Sequence, residues 1–284
     1  MTWPPDDWWE PDTITVSDGT SLAVRARAGT ARPVLLVHGL ASNVLLWRGV
    51  AEELASRGHA VAALDLRGHG RSDRPESGYN TDQSASDVIE VATALGWAGR
   101  APVIAGQSWG GNVALHSAAL DQVWGGVLCV DGGWIHLATR FQTFDECWSM
   151  LAPPGFGTSG PDEALAMITG FVSGWPPHAL AAVLGNLEVV DGRVRNRLAR
   201  EHHKAIVHSL WSDDPAEDYP RIKVPVHLLV AGKSASDDVE LAQSEIADAT
   251  VSWHPDAHHD IHVQHPEVVS EQLFSLIGRV EGSA

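Results

Sequence analysis

Apolar runs alternate with amphipathic segments along most of the chain. Continuous apolar runs predict strands that are buried on both faces of a sheet, and they occur in PVLLVHG, AVAALDL, APVIAGQS, WGGVLCVDGG and VPVHLLVAG. Helical periodicity fills the intervals, as in LLWRGVAEELASRG, which ends at Gly58, and in TDQSASDVIEVATALGW, where Thr81 or Asp82 supplies the cap. A last helix is predicted from Pro266, because proline suits the first helical position. The alternation predicts an α/β fold with a mostly parallel, doubly wound sheet.

Two further features complete the predicted architecture. The segment TITVSDGTSLAVRAR predicts a hairpin that turns at Asp18-Gly19. Between residues 134 and 219 the buried-strand pattern stops, and predicted helices are interrupted by APPGFGTSGPD and SGWPPHAL. We therefore expect a helical cap at 134–219, inserted into a core made of 1–133 and 220–284.

Charge and composition narrow the classes of partner. The 284 residues carry a formal net charge of −17, so phosphate backbones and anionic membranes should be repelled. The sequence contains no apolar run of about 20 residues, and its start lacks the basic and apolar regions of a signal peptide. The two cysteines provide neither a disulfide framework nor metal-ligand spacing. We expect a cytoplasmic protein that acts on a small molecule; whether it forms a homodimer is left open.

The hexapeptide GQSWGG places a serine between a predicted strand and a predicted helix. In this G-x-S-x-G pattern the serine sits on a tight turn, and Gly106 and Gly110 leave room for the close backbones. The following helix directs its N-terminal N–H groups at the reacting centre, where negative charge develops. Ser108 is the predicted nucleophile, and an ordinary Gly/Ser turn is the alternative.

A second loop is expected beside this serine. The strand in VLLVHGL ends at His38-Gly39, so the backbone N–H groups of Leu40 and Trp109 are predicted to form an oxyanion hole. The side chain of His38 is expected to be structural.

The order of four motifs resembles the α/β-hydrolase superfamily. HGL, DLRGHGRSD, GQSWGG and HHDIHVQHPE follow one another as they do in that superfamily, and the match runs from about Val34 to about Val280. The capped esterase, lactonase and C–C hydrolase branch is the most similar. The resemblance implies an α/β-hydrolase fold with a cap, no metal or organic cofactor, and structural roles for Asp65, Arg67 and His69.

Five histidines crowd the stretch WHPDAHHDIHVQHP, and the family pattern G-H-x-x-H assigns the base among them. Laid on this stretch, the pattern makes His259 the catalytic base, with His258 in place of the usual glycine. His258 is the alternative base. A metal site is the other alternative, because His258 and His262 have i, i+4 spacing, but the flanking prolines indicate a loop.

The predicted triad also needs an acid to hold the histidine. The resemblance allows two locations, and the commoner one, after VPVHLLVAG, falls on Ala235, with Asp237 and Asp238 close behind. The other location is the end of the preceding strand, where Asp131 stands. Asp131 is preferred, and its alternative role is to cap the turn before two glycines.

These residues predict a serine hydrolase that cleaves an ester or lactone of a small, apolar or aromatic molecule through an acyl-enzyme. The cap is rich in aromatic residues: Trp134, Phe141, Phe144, Trp148, Phe156, Phe171, Trp175 and Trp211. Of the cap residues, Trp134, Trp148 and His203 are the predicted substrate contacts. A C–C bond hydrolase, a cofactor-free haloperoxidase-like enzyme and a non-catalytic ligand-binding protein are the alternatives. A serine in the elbow disfavours epoxide hydrolases and dehalogenases of this fold, which need a carboxylate there.

Overall fold

An eight-stranded sheet forms the centre of the protein. The computed structural model describes residues 8–153, 155, 160–232 and 236–282. The strands of both sheets in the described residues are β1 (Pro11–Thr15), β2 (Ser21–Arg27), β3 (Ala31–Val37), β4 (His59–Leu64), β5 (Val103–Gln107), β6 (Gly126–Val130), β7 (Leu187–Val190), β8 (Arg193–Asn196), β9 (Val226–Ala231) and β10 (Ala249–His254). The large sheet has the order β1-β2-β4-β3-β5-β6-β9-β10. It is antiparallel only in the pairs β1/β2 and β2/β4, among the strands described.

Helices cover both faces of this sheet. They are α1 (Arg48–Ser56), α2 (Thr81–Ala94), α3 (Trp109–Leu120), α4 (Phe144–Leu151), α5 (Pro161–Phe171), α6 (Ala179–Leu184), α7 (Arg200–Ser212), α8 (Ser236–Glu245), α9 (Ile261–Gln264) and α10 (Pro266–Gly282). Short 3-10 turns occupy Val44–Trp47, Leu137–Thr139, Pro215–Glu217 and Tyr219–Arg221. Within the described ranges, none of the helices is long and apolar enough to cross a membrane.

Along β3, successive side chains point to opposite faces of the sheet, and both faces are buried. Leu35 and Val37 pack into the core layer that contains α2 and α3, whereas Val34 and Leu36 pack into the layer that contains α1 and α10. All four side chains are fully buried. The predicted doubly wound, mostly parallel α/β fold is confirmed.

The segment 134–219 contains α4 to α7 and one feature that the sequence analysis missed. Strands β7 and β8 form an antiparallel hairpin there, where only helices were predicted. Its turn residues, Asp191 and Gly192, have φ values of 52° and 74°. Asp-Gly between alternating apolar residues is a hairpin signal, because both turn positions need positive φ. The division of the chain into a core and a cap stays a prediction.

Parallel strands bring distant residues to one edge of the sheet. His38, Ser108 and Asp131 directly follow β3, β5 and β6, which are neighbours in the sheet. The loop after β10 reaches the same carboxyl edge, where open α/β sheets hold their ligands.

Candidate active site

Ser108 lies on the sharp turn between β5 and α3. Its backbone has φ 54° and ψ −125°, a conformation that L-residues rarely adopt and that marks stored strain. Its N–H donates to the carbonyl of Val130 at 2.9 Å, and its carbonyl accepts from the N–H of Gly111 at 2.8 Å. A Cβ added to Gly106 would collide with the backbone of Gly110, so the predicted need for small residues at these positions agrees with the structure. The turn therefore holds the serine at the N-terminus of α3.

The loop after β3 packs directly against this turn. A Cβ added to Gly39 would lie 3.0 Å from Cβ of Ser108, so the next residue, Leu40, is adjacent to the serine. The backbone N–H of Trp109 begins α3, and its indole is buried, with Nε1 donating to Oγ1 of Thr81 at 3.2 Å. The positions of Leu40 and Trp109 suit the predicted oxyanion hole, whose role stays a prediction.

The carboxylate of Asp131 holds the imidazole of His259. Nδ1 of His259 lies 2.6 Å from Oδ2 of Asp131, and the backbone N–H of Ala231 donates to Oδ1 at 3.0 Å. Asp131 is 8% exposed, and its own φ of 46° turns the chain so that the side chain reaches this loop. Burial lowers the pKa of His259, but the hydrogen bond and negative charge of Asp131 outweigh burial, so the pKa lies above its ordinary value.

The later acids have other surroundings. Asp238 lies 3.8 Å from the guanidinium of Arg140, and burial raises the pKa of its carboxyl. Asp237 is exposed in the first turn of α8. Ala235, the commoner family position, lies outside the described residues. The carboxylate that contacts His259 is therefore the one preferred from sequence.

Other histidines of the cluster lie in different surroundings from those of His259. His258 is exposed, while His262 is fully buried against Trp47, with ring centroids 4.7 Å apart. Burial lowers the pKa of His262 to about 3. His265 is exposed and lies 3.4 Å from Glu267. In the described part of the chain, no group of three or more His, Cys, Asp or Glu side chains could hold a metal ion.

The loop DLRGHGRSD has a structural role. Asp65 accepts hydrogen bonds from the backbone N–H groups of Val44 and Arg71, each at 2.8 Å. Arg67 forms a buried bidentate pair with Asp87, at 2.7 and 2.8 Å. The ring of His69 bonds to backbone at both nitrogens, accepting from Ala41 N–H and donating to the carbonyl of Arg67.

Within the described residues, the hydrogen bonds of the buried His38 also go to backbone. Its Nδ1 lies 2.7 Å from the carbonyl of Gly39, and its Nε2 accepts from the N–H of Leu66 at 3.0 Å. Burial lowers its pKa to about 4, so the ring is neutral at physiological pH. The structural role expected of His38 agrees with these contacts.

Ser108 and His259 line one cavity of about 150 Å³. The other described residues of its wall are Leu40, Ala41, Ser42, Leu46, Gln107, Phe171, Trp175, Val183, Asn186 and Asp260. Gln107 also donates from Nε2 to the carbonyl of His259 at 3.2 Å, which ties the histidine loop to the elbow. The sequence analysis did not single out Gln107, Asn186 or Asp260. Gln107 and Asp260 could have been found from the sequence, because each is adjacent to a predicted catalytic residue.

The predicted substrate contacts lie outside the described wall of the serine cavity. Trp134 is buried in the core layer of α2 and α3, Trp148 packs 6.0 Å from the ring of His203, and Nε2 of His203 bonds to the carbonyl of Leu151 at 3.1 Å. None of these three side chains is among the described residues of the serine cavity, although His203 lines a neighbouring cavity that shares Ala41, Ser42 and Asn186 with it. Their contact with a substrate stays a prediction. Phe171 and Trp175, from the same aromatic set, line the serine cavity, and Phe156 lies outside the described residues.

A larger cavity of about 920 Å³ lies elsewhere, between the start of α2 and α7. Its described wall is rich in carboxylates, and its His116 already pairs with Asp218 at 2.6 Å. Ser108 and His259 are not among its described residues, so size does not identify the reactive site here. The geometry around the smaller cavity does.

The comparisons place the chain in a family. The model of the Alpha/beta hydrolase family matches residues 34–272, and the chain belongs to this family. A non-heme chloroperoxidase of Streptomyces lividans is 28% identical over 93% of this chain and 99% of its own. The structure of E-2-(acetamidomethylene)succinate hydrolase superposes with a TM-score of 0.78 at 20% identity, covering 95% of this chain and all of that one. The esterase EaEST of Exiguobacterium antarcticum gives 0.73 at 21% identity, with 95% and 100% covered. The last two likenesses show the fold alone.

Proposed function

We propose that this protein is a serine hydrolase that cleaves a carboxylic ester or lactone of a small, apolar or aromatic molecule. The observation that carries the proposal is the 2.6 Å contact between Asp131 and His259, on a cavity that His259 shares with Ser108. A carboxylate on Nδ1 leaves Nε2 of the imidazole as the proton acceptor for a nucleophile.

In the proposed reaction, Ser108 attacks the carbonyl carbon while His259 takes the hydroxyl proton. The N–H groups of Leu40 and Trp109 stabilise the oxyanion, and His259 passes its proton to the leaving alcohol. Water, activated by His259, then attacks the acyl-enzyme and releases the acid and the free serine. Asp131 keeps the ring in one tautomer and offsets its charge in both halves of the reaction. The chemistry requires no cofactor.

The size and wall of the cavity support a small acyl group. About 150 Å³ is below the usual range for sites that take drug-sized ligands. Leu40, Leu46 and Val183 contribute an aliphatic wall, and Phe171 and Trp175 contribute an aromatic one. Screening p-nitrophenyl esters, lactones and vinylogous diketones side by side tests the bond type. Release of product from esters or lactones is expected, whereas turnover of the diketones alone would make the protein a C–C bond hydrolase.

A haloperoxidase-like activity is the second candidate, because the chain is similar to the chloroperoxidase over nearly its full length. Hydrogen peroxide would replace water as the nucleophile on the acyl-enzyme and release a peracid. Halogenation of monochlorodimedone in peroxide, bromide and acetate, set against the same assay with Ser108→Ala, tests it. A non-catalytic binding role is disfavoured, because a carboxylate, that of Asp131, contacts His259 although position 235 carries none.

A further inference from the structure

Asp260 places a second carboxyl group at the proposed active site. It stands at the N-cap of α9, where aspartate usually accepts a hydrogen bond from the helix, but its side chain makes no capping bond. The side chain instead lines the cavity that contains Ser108 and His259. Helix capping therefore does not explain this carboxyl group.

The charge of Asp260 is only partly balanced. The described wall of the cavity contains neither lysine nor arginine, and the basic side chains near Asp260 are those of His259 and of His258, whose Nδ1 lies 3.5 Å from Oδ2. His258 is half exposed and Asp260 is 24% exposed. Burial raises the pKa of Asp260, because the site solvates the carboxylate less well than water does. A cationic ligand would restore the lost solvation.

Aromatic rings form the wall of the same cavity. Phe171 and Trp175 approach each other with centroids 5.2 Å apart at an angle of 54°. The ring of His258 lies 5.8 Å from that of Trp175 while it also approaches Asp260. One group can therefore lie near the indole and the carboxylate together, as the imidazole of His258 does, although its Nδ1 accepts from the backbone N–H of Asp260 at 3.3 Å. A carboxylate beside aromatic faces is the combination that binds alkylammonium groups.

We propose that the substrate carries a positively charged nitrogen, bound between Asp260 and Trp175 while its carbonyl group lies at Ser108. This inference rests on the proposed ester hydrolysis and adds the chemical class of the substrate to it. The net charge of −17 favours the approach of such cations and opposes that of carboxylate-bearing esters.

Matched esters test the inference through ratios of kcat/KM. The p-nitrophenyl ester of 4-(trimethylammonio)butanoate has a neutral isostere, 5,5-dimethylhexanoate, and an anionic counterpart, the adipate monoester. Butyrylthiocholine and 3,3-dimethylbutyl thiobutyrate form a second pair, in which the trimethylammonium group and its neutral tert-butyl counterpart lie on the thiol leaving group. The cation should be preferred over its isostere by about tenfold in at least one series, and the adipate monoester should react about tenfold more slowly than the neutral ester.

Asp260→Asn should reduce the preference for the cation to less than about threefold, and Trp175→Leu should reduce it by a similar amount. Asp256→Asn is the matched control, because it removes the same charge from an exposed residue of the same loop. The preference should survive in that control. Equal rates for cation and isostere in both series, or an unchanged preference in Asp260→Asn, would overturn the inference.

Calorimetry with choline, whose neutral isostere is 3,3-dimethylbutanol, separates this inference from the proposed reaction. Ser108→Ala should bind the cation more tightly than 3,3-dimethylbutanol, and adding Asp260→Asn should remove that difference. Hydrolysis of the neutral esters without cation binding would contradict the inference and leave the reaction standing. Cation binding without hydrolysis of any ester would contradict the reaction and leave the cation site standing. Absence of cation binding contradicts the inference in every case.

Discussion

Nδ1 of His259 and Oδ2 of Asp131 are 2.6 Å apart, although 128 positions of sequence separate the two residues. The contact exists because β6 and β9 are adjacent parallel strands, so the residue after β6 meets the loop that follows β10. A second bond, from the N–H of Ala231, fixes the other oxygen of the carboxylate. The two bonds fix the carboxylate, and the imidazole that it holds lines the same cavity as Ser108.

Asp131→Asn should lower kcat by several orders of magnitude with little change in melting temperature. The amide preserves the shape of the side chain but favours the wrong tautomer of His259 and does not offset its positive charge, a change that costs about 10⁴ in serine proteases. Steady-state kinetics and thermal melts measure the two effects. Asp237→Asn and Asp238→Asn are the controls and should be mild; the reverse ranking would assign the acid to the later loop.

The value of kcat/KM should decrease on acidification with an apparent pKa above 6.5, the ordinary pKa of histidine. This decrease is the acid limb of the pH profile. His259 must be neutral to accept the serine proton, and Asp131 raises its pKa, so activity is lost on acidification sooner than for an isolated imidazole. Asp260 contributes to the same rise through its charge. The limb in Asp260→Asn, measured with a neutral ester, should therefore move to lower pH, while Asp256→Asn leaves it in place. A limb that is unmoved or moved upward would contradict this electrostatic account.

Stability should fall as the pH decreases from about 6.5 towards 4. Burial lowers the pKa of four histidines to between about 3 and about 4: His38, His69, His227 and His262. Below pH 6.5 these side chains therefore bind protons in the unfolded chain before they do so in the native protein, which favours unfolding. Their contribution is present above pH 6.5 and is lost on acidification. His259, with its raised pKa, works in the opposite direction.

His262→Phe tests how much His262 contributes to this pH dependence of stability, because the ring of His262 is fully buried against Trp47. Urea unfolding across this pH range should give a slope smaller by up to about 1.4 kcal/mol per pH unit in the variant. His265→Phe changes an exposed histidine and should leave the slope as it was. Equal slopes in the wild type and His262→Phe would show that His262 is not buried in its neutral form.

Arg67→Met should destabilise the protein by about 3–5 kcal/mol, because it leaves the buried carboxylate of Asp87 without its cation. Arg67 and Asp87 have side chains that are 1% and 0% exposed. Glu53→Gln removes an exposed partner of Arg57 and should cost less than about 1 kcal/mol. Denaturant unfolding measures both changes. A loss of stability in Arg67→Met no greater than in Glu53→Gln would contradict the structural role of this loop.

Local signals in the sequence were sufficient for the elbow at Ser108, whose strand, turn and helix are adjacent in the chain. The preference for Asp131 over Asp237 came from the two acid locations that the resemblance allows. The observed sheet order and the contact of Asp131 with His259 agree with that preference. The cavity wall could not be predicted in the same way. Whether Trp134 or Trp175 reaches the cavity depends on how segment 134–219 packs on the core, and aromatic composition does not encode that packing.

The hairpin β7/β8 is a different kind of omission. Its Asp191-Gly192 turn is a hairpin signal in the sequence that the sequence analysis did not use. Asp260 was also visible, as one of several acids in a histidine-rich loop. Its unused capping position, its place on the cavity and its lower exposure distinguish it from Asp256.

The most direct test of the central claim is to identify the residue that a fluorophosphonate modifies. The native protein should gain one adduct, mapped by peptide mass spectrometry to Ser108, and Ser108→Ala should gain none while melting at the same temperature as the native protein. An ester substrate added in excess should slow the modification. An adduct on another residue, or equal labelling of Ser108→Ala, would contradict the assignment of Ser108 as the nucleophile.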